Sequence, residues 1–444
     1  MPARPLRRGA AVLGLATALA AGVGLAATPG IAPAEVAVQA DRTAVGFGDI
    51  AVVYQVGRVD AATVAASEQV ASATGGWSTV GGTGTLHVRR IARPGATVYA
   101  PPDGYTFPMT FAAFAPETLG WLLGFGVAGD ASAATHPAGV VLNAASAALS
   151  GAQAGDTIEV ETRAGGRASL TVTAVVPREH LGSTEVVMTT DLAERLGETR
   201  QTRTIVWGFD SRAAVDAAFA TTGLDRRRDI DIARSWDAPD PDSTLSTLDI
   251  KRLLGTPWYL VGDGGNSVSM HPAWREANLT PTRVLLNEQI PVRARCHLKI
   301  LADLRAAFAD VAAAGLGGAI DVGNANTYGG CYTPRFARES WNLSRHSYGL
   351  AFDTNTVDNC QGCVPAMDCD VVRIFRRHHF AWGGNFSRPD GMHFEWVGEA
   401  RDQLAYPSTY CRNTPATAAQ LDPQADPPPP ATIGRAALDL RLPD

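Results

Sequence analysis

Cysteine is absent from the first 295 residues of this 444-residue chain; all six cysteines, Cys296, Cys331, Cys360, Cys363, Cys369 and Cys411, fall in the last third. A cysteine-built metal site or disulfide frame in the first two thirds is thereby excluded. A basic surplus is missing too: 38 Lys and Arg stand against 44 Asp and Glu, a net charge of −6. That balance argues against a nucleic-acid binder, which needs a positive surface. Beyond the first 34 residues no run is long and apolar enough to cross a bilayer. There is no internal repeat. The 45% hydrophobic content, in turn, excludes wholesale disorder and leaves room for two or three folded domains.

The first residues read as an export signal. Arg4, Arg7 and Arg8 form a positive start, and Gly9 to Ala27 is an uncharged run of small and apolar residues. Cleavage is expected after Ala27 or after Ala32-Pro33-Ala34, the second being the better small-x-small match. An uncleaved anchor is the alternative, but the Ala and Gly content makes the run only weakly hydrophobic. Arg7-Arg8 hints at twin-arginine export, although Gly-Ala-Ala follows it. Residues 1–34 are therefore expected to be a signal peptide, leaving an extracytoplasmic protein, secreted or in the cell envelope, with no membrane span. In such a compartment an even number of cysteines favours disulfides, with 15 connectivities open. Cys360-x-x-Cys363-x5-Cys369 has the alternative of a zinc knuckle.

Composition predicts an α+β protein of two domains. Residues 41–223 read as a small α+β accessory domain. Thr157–Thr162 and Leu170–Val175 alternate like half-buried strands, with a hairpin connection at Ala164–Arg167. Leu192–Leu196 and Ala213–Phe219 read as short helices. His87, His136 and His180 are isolated and suggest no chemistry. Residues 224–249, with Asp-Ala-Pro-Asp-Pro-Asp, read as a linker, 250–411 as a second domain, and 412–444, with Pro427 to Pro430 in a row, as a disordered tail. Within the second domain a helix is expected from Cys296 to Ala314, a strand at Ile320–Val322 and a helix at Val371–His378.

The chemistry-bearing residues lie in that second domain. His346, Asp353 and His393 sit in short segments bounded by glycine and apolar residues. Two nitrogens and one carboxylate, with a position left over, are what a catalytic zinc site needs. Zinc held this way makes water a nucleophile near neutral pH. A further carboxylate must then move the proton to the leaving amine. Asp390, three residues before His393, is one candidate; Glu395, two residues after it, is either a rival base or a partner that orients the histidine. Arg335 is a candidate to stabilise the oxyanion, with Arg338 as its rival. Trp382 and Trp396 read as core or pocket wall.

Ser344-x-His346-x-x-Gly349-x-Ala351-x-Asp353, then Trp382-Gly383-Gly384, then Asp390-x-x-His393-Phe394-Glu395 resembles the M15 family of zinc peptidases. The family includes D-alanyl-D-alanine carboxypeptidases and dipeptidases and L-alanyl-D-glutamate endopeptidases. The last two segments are most similar to its endopeptidase-like branch, and Gly330-Cys331-Tyr332-x-x-Arg335 is similar to the segment carrying its substrate-side arginine. The resemblance implies Zn2+ held by His346, Asp353 and His393, Asp390 as general base and Arg335 at the transition state. It implies a small antiparallel-sheet fold like the hedgehog signalling domain, and peptidoglycan stem peptides as substrate. Carboxypeptidase action or a non-catalytic zinc-dependent wall-binding module are the alternatives. The insertion from Cys360 to Cys369 departs from the family pattern and is expected to rim the cleft. Val140–Asn143 through Val172–Val176 faintly resembles the extracytoplasmic core of exporter-type ABC permeases, a hint of fold alone; an envelope protein partner bound through the accessory domain is a separate expectation.

Overall fold

Alternation of apolar and polar side chains makes strands that bury one face; Thr157–Glu161 and Arg167–Val176 are of this kind, whereas Phe107–Phe114, Gly139–Asn143 and Val186–Thr189 are mainly apolar and buried on both faces. The computed structural model describes residues 49–120, 135–162, 165–197, 200–262, 267–321, 328–338 and 340–413. The signal-peptide reading, and the tail beyond Asn413, lie outside the described residues. Ten strands form one sheet: β1 Ile50–Gln55, β2 Trp77–Arg93, β3 Ala96–Tyr99, β4 Phe107–Phe114, β5 Gly139–Asn143, β6 Thr157–Glu161, β7 Arg167–Val176, β8 Val186–Thr189, β9 Arg200–Trp207 and β10 Ile230–Arg234. The long β2 pairs with both β4 and β6, so the order β2-β4-β8-β5-β7-β6 closes on itself as a six-stranded barrel. Register shifts along β2, at Gly81/Gly82, Val88/Arg90 and Ile91/Ala92, let one strand serve two neighbours. Leu86, Val88, Phe107, Met109, Phe111, Val140, Leu142, Ile158, Leu170 and Val172 fill the interior.

Of the remaining strands, β3 pairs with β2, while β9, β1 and β10 extend the sheet, and helices α1 (Ala61–Ala73) and α2 (Arg212–Thr222) cover them. Val70, Ala71, Val215 and Phe219 pack there on Ala51, Val53 and Val206. The molecule is α+β in content, as expected; what the sequence reading did not include is that the strands of this part join in one sheet that closes as a barrel. Closure depends on which strands meet, and alternation within a single strand carries no record of that.

The segment read as a linker is not free chain. Ile230–Arg234 is the edge strand β10, paired with β1, and helix α3 (Thr247–Leu254) begins inside it, capped by Ser246. Between them Asp242 is buried against Arg376. Polar connections then cross to the barrel. Lys251 is buried in an ion pair with Glu185 and donates to Pro108 O, and Arg178 pairs with Asp249 at 2.8 Å.

After α3 the chain surrounds a three-stranded antiparallel sheet ordered β11 (Ala351–Asp353), β13 (His393–Trp396), β12 (Phe380–Trp382). Helix α4 (Leu301–Ala313) follows a single turn of tighter helix at Leu298–Ile300, so the regular helix starts five residues later than the sequence suggested. Helix α5 (Cys369–Arg377) starts at Asp368, which accepts from Asp370 N and Val371 N. Leu304, Phe308 and Val311 of α4 and Phe375 of α5 meet Phe352, Phe380 and Phe394 of the sheet in one core. Ile320 and Asp321 form no strand, and Val322 lies outside the described residues. The cysteines pair as Cys296–Cys331, Cys360–Cys363 and Cys369–Cys411, which removes the thiols a zinc knuckle would need. Among the described residues no helix is long and apolar enough to cross a membrane.

His379 follows α5 and pairs with Asp303 of α4 at 3.1 Å, while Trp396 Nε1 donates to the same carboxylate at 2.7 Å. The Asp303 hydrogen bond raises His379 above its ordinary value near 6.5, against the opposing effect of burial. A raised histidine contributes stability that is full below the unfolded value and fades as pH rises through the folded one. His379→Asn, which tolerates the left-handed backbone here (φ 71°), should therefore cost more at pH 6 than at pH 9. The pair is half-exposed and screened, so the difference between the two urea midpoints should correspond to about 0.5 kcal/mol.

Candidate metal centre

Helix α6 (Arg345–Tyr348) is a single turn started by Ser344, whose Oγ accepts from His346 N, and stopped by Gly349. It presents His346 toward β11. Asp353 ends β11 and lies directly across from His393, the first residue of β13. Opposite residues of an antiparallel pair share a face, so the two strands and the turn aim three side chains at one point. His346 Nε2 is 3.0 Å from Asp353 Oδ2, His393 Nδ1 is 3.1 Å from Asp353 Oδ1, and the two ring nitrogens are 3.2 Å apart. One candidate ligand atom from each of the three lies within 4.8 Å of the others. Two imidazole nitrogens and a carboxylate converging this closely fit a divalent cation such as Zn2+ with room for a further ligand.

Each histidine is held from behind. Nδ1 of His346 lies 2.7 Å from Cys331 O, and donating its proton there leaves Nε2 as the free lone pair. Nε2 of His393 faces Glu395 Oε2 at 3.6 Å, and Glu395 Oε1 accepts from Arg345 Nε at 2.8 Å. One oxygen of Glu395 is thus taken by Arg345 while the other lies against the far edge of His393 with no hydrogen bond among the described residues, a placement suited to orienting that histidine. Glu395→Gln should weaken zinc binding by about 10- to 100-fold with the fold intact, measured by competition against a chromogenic chelator. The carboxylate of Asp353 is held well below its usual range by His346 and His393, although burial opposes this.

Asp390 reaches the site through tight backbone contacts. Its N donates to Gly383 O at 2.8 Å, and a Cβ at Gly383 would lie 2.6 Å from Asp390 O. Only glycine permits that approach. Trp382 is buried core, and its Nε1 donates to Gly391 O at 2.8 Å, anchoring the same loop. The Trp-Gly-Gly run is thus a cradle for the Asp390 loop. Burial chiefly, and then the Asp353 carboxylate, push Asp390 above the ordinary carboxylate value. Its Oδ1 is buried with no hydrogen-bond partner among the described residues.

Arg335, Arg338, Gln361, Phe386, Asp390 and His393 line one cleft. Both arginine candidates therefore reach it; the charge of Arg335 acts on Asp390. Gln361, between Cys360 and Cys363, puts the cysteine-rich insertion on the rim, as expected. Three contributors were not singled out from the sequence. Gly329 lets the chain pass Asp353 so closely that a Cβ there would sit 2.8 Å from Asp353 Cβ. Ser347 Oγ donates to Arg335 O and accepts from Arg335 N, fixing that residue's backbone. Arg345 holds Glu395. Glycine doublets and a Ser-Arg dipeptide beside a candidate ligand were the available signals.

A buried His/Asp/His group with an extra carboxylate on a shared cleft is an arrangement compatible with metal binding. Residues 338–396 match the M15 peptidase family model described as D-alanyl-D-alanine carboxypeptidase, which supports a peptidase domain in this part of the chain. The matched stretch holds His346, Asp353, Asp390 and His393 and begins at Arg338, three residues past Arg335. No curated protein matches the chain. The resemblance of Val140–Val176 to exporter-type permeases finds no support in these comparisons, so nothing about a partner follows from it.

Proposed function

We propose that this chain is an exported zinc metallopeptidase that hydrolyses amide bonds in the stem peptides of peptidoglycan. The observation that carries the reading is the meeting of His346, Asp353 and His393 beside the buried Oδ1 of Asp390, inside the stretch that matches the family. When bound, zinc supplies Lewis-acid activation of water and of the scissile carbonyl. Asp390 takes the proton of the attacking water and returns it to the leaving amine; a carboxylate raised by burial is better matched to that exchange than an ordinary one. Arg335, held at its backbone by Ser347, donates to the developing oxyanion. His346 and His393 keep their metal-facing nitrogens in place through Cys331 O and Glu395. A purely structural zinc site would use four protein ligands and need no spare acid, which disfavours a binding module.

The Trp-Gly-Gly and Asp-x-x-His-Phe-Glu segments favour internal cleavage of the stem. The printed description of the matching family favours removal of a terminal D-Ala instead. Mass spectrometry of muropeptides incubated with the full chain, with and without a zinc chelator, decides. Chelator-sensitive loss of one Ala assigns carboxypeptidase action, and two peptide fragments assign endopeptidase action. Intact muropeptides after incubation with a zinc-loaded, folded sample would sink the reading.

A further inference from the structure

We propose that Thr85 and His87, on barrel strand β2, are positioning residues for the arginine-bearing wall of the cleft; this rests on the peptidase reading of that cleft. The wall is a hairpin. Phe336 bridges Leu343, and Ala337 N donates to Asn342 O at 2.8 Å. Arg335 and Arg338 project from it into the cleft. At its root the hairpin is tied to the metal-bearing turn by Ser347, which holds both backbone groups of Arg335.

At its other end the hairpin is held by the barrel. Successive residues of a strand face opposite ways: Leu86 and Val88 enter the barrel core, so Thr85 and His87 point outward. An outward barrel face would normally be wet, yet Thr85 is 2% and His87 0% exposed. The hairpin is what meets them. Thr85 Oγ1 donates to Asn342 Oδ1 at 2.6 Å. The His87 ring stands edge-on to Trp341 and to Phe336, with centroids 4.6 Å and 5.4 Å away, and its Nδ1 is 2.6 Å from Tyr259 OH. Phe336 and Trp341 stack on one another.

A dry hydrogen bond is costly to leave unmade. Together with two ring contacts it fixes the hairpin in register against β2, and a slipped hairpin would break all three at once. Arg335 is thereby held from both sides, by the metal-bearing turn and by the barrel. Displacement of a transition-state group by about 1 Å can cost about 100-fold in rate, so the barrel has a direct lever on turnover without touching substrate.

The test uses the full zinc-loaded chain. Thr85→Val keeps the shape and removes the hydrogen bond; kcat/KM on muropeptides should fall about 10-fold with zinc stoichiometry unchanged, and Thr85→Ser should restore it. In an Arg335→Ala, Arg338→Ala background the same Thr85→Val change should cost nothing further, because its effect runs through those arginines. An equal fall in both backgrounds, or no fall in the native one, overturns the proposal. Amide hydrogen exchange gives a second readout that does not depend on substrate. Residues 335–343 should exchange faster in Thr85→Val while residues 345–353 do not change, and unchanged exchange in the hairpin overturns the proposal. If the unmutated chain cleaves no muropeptide, the peptidase reading fails, and the exchange result still judges the positioning.

Discussion

Asp390→Asn should keep one zinc per chain and lose turnover by roughly a thousand-fold, within the span of about 10²–10⁴ that a positioned acid–base group contributes. The amide is close to isosteric and can occupy the same cradle against Gly383, so the loss reports the missing base rather than a collapsed loop. His393→Ala is the contrasting variant. It deletes a candidate ligand and should lose metal and activity together. Zinc content by elemental analysis beside muropeptide turnover separates the two variants. Turnover retained in Asp390→Asn would remove Asp390 as the base and point to Glu395, whose Oε2 has no hydrogen-bond partner among the described residues.

The second large effect is on stability. Asp242→Ala should destabilise the protein by about 3–5 kcal/mol, read from the urea midpoint, because it strips a buried guanidinium of its countercharge. Arg376 is 0% and Asp242 2% exposed, and Arg376 Nε donates to Asp242 Oδ1 at 2.9 Å. Asp242 also accepts from Trp382 N at 3.0 Å and Asn385 Nδ2 at 2.7 Å. Replacing both partners, as Asp242→Leu with Arg376→Met, should recover much of the loss, since an apolar pair leaves no buried charge.

The same network predicts the behaviour of a fragment starting at Ile250. Arg345 donates to Leu245 O at 2.7 Å as well as to Glu395, and Arg401 donates to Ser243 O. A fragment lacking residues 240–245 would leave Arg345, Arg376 and Arg401 partly unpaired, and through Arg345 and Glu395 the disturbance reaches His393. It should be less stable than the full chain and bind zinc more weakly.

Much of the candidate site was legible in the sequence. His346 and Asp353 are separated by one helical turn, a glycine and a short strand, and Asp390 and His393 by a single tight turn. Local chain geometry fixes such groups relative to one another, so residue type and spacing carry the information. Helices α2, α4 and α5 were legible for the same reason, since their apolar periodicity and caps are local. The three-dimensional structure decided everything that depends on which distant segments meet. It put Asp390 on the cleft and gave one oxygen of the Glu395 carboxylate to Arg345 from another element. It turned the acidic stretch around Asp242 from a spacer into a buried anchor, because Arg376 lies 134 residues away. It closed β2, β4, β8, β5, β7 and β6 into a barrel, and set Thr85 and His87 beneath the hairpin that carries Arg335. Composition and spacing describe what a side chain can do; the partner that commits it comes from contacts the sequence pattern does not encode, and burial makes that partner energetically decisive.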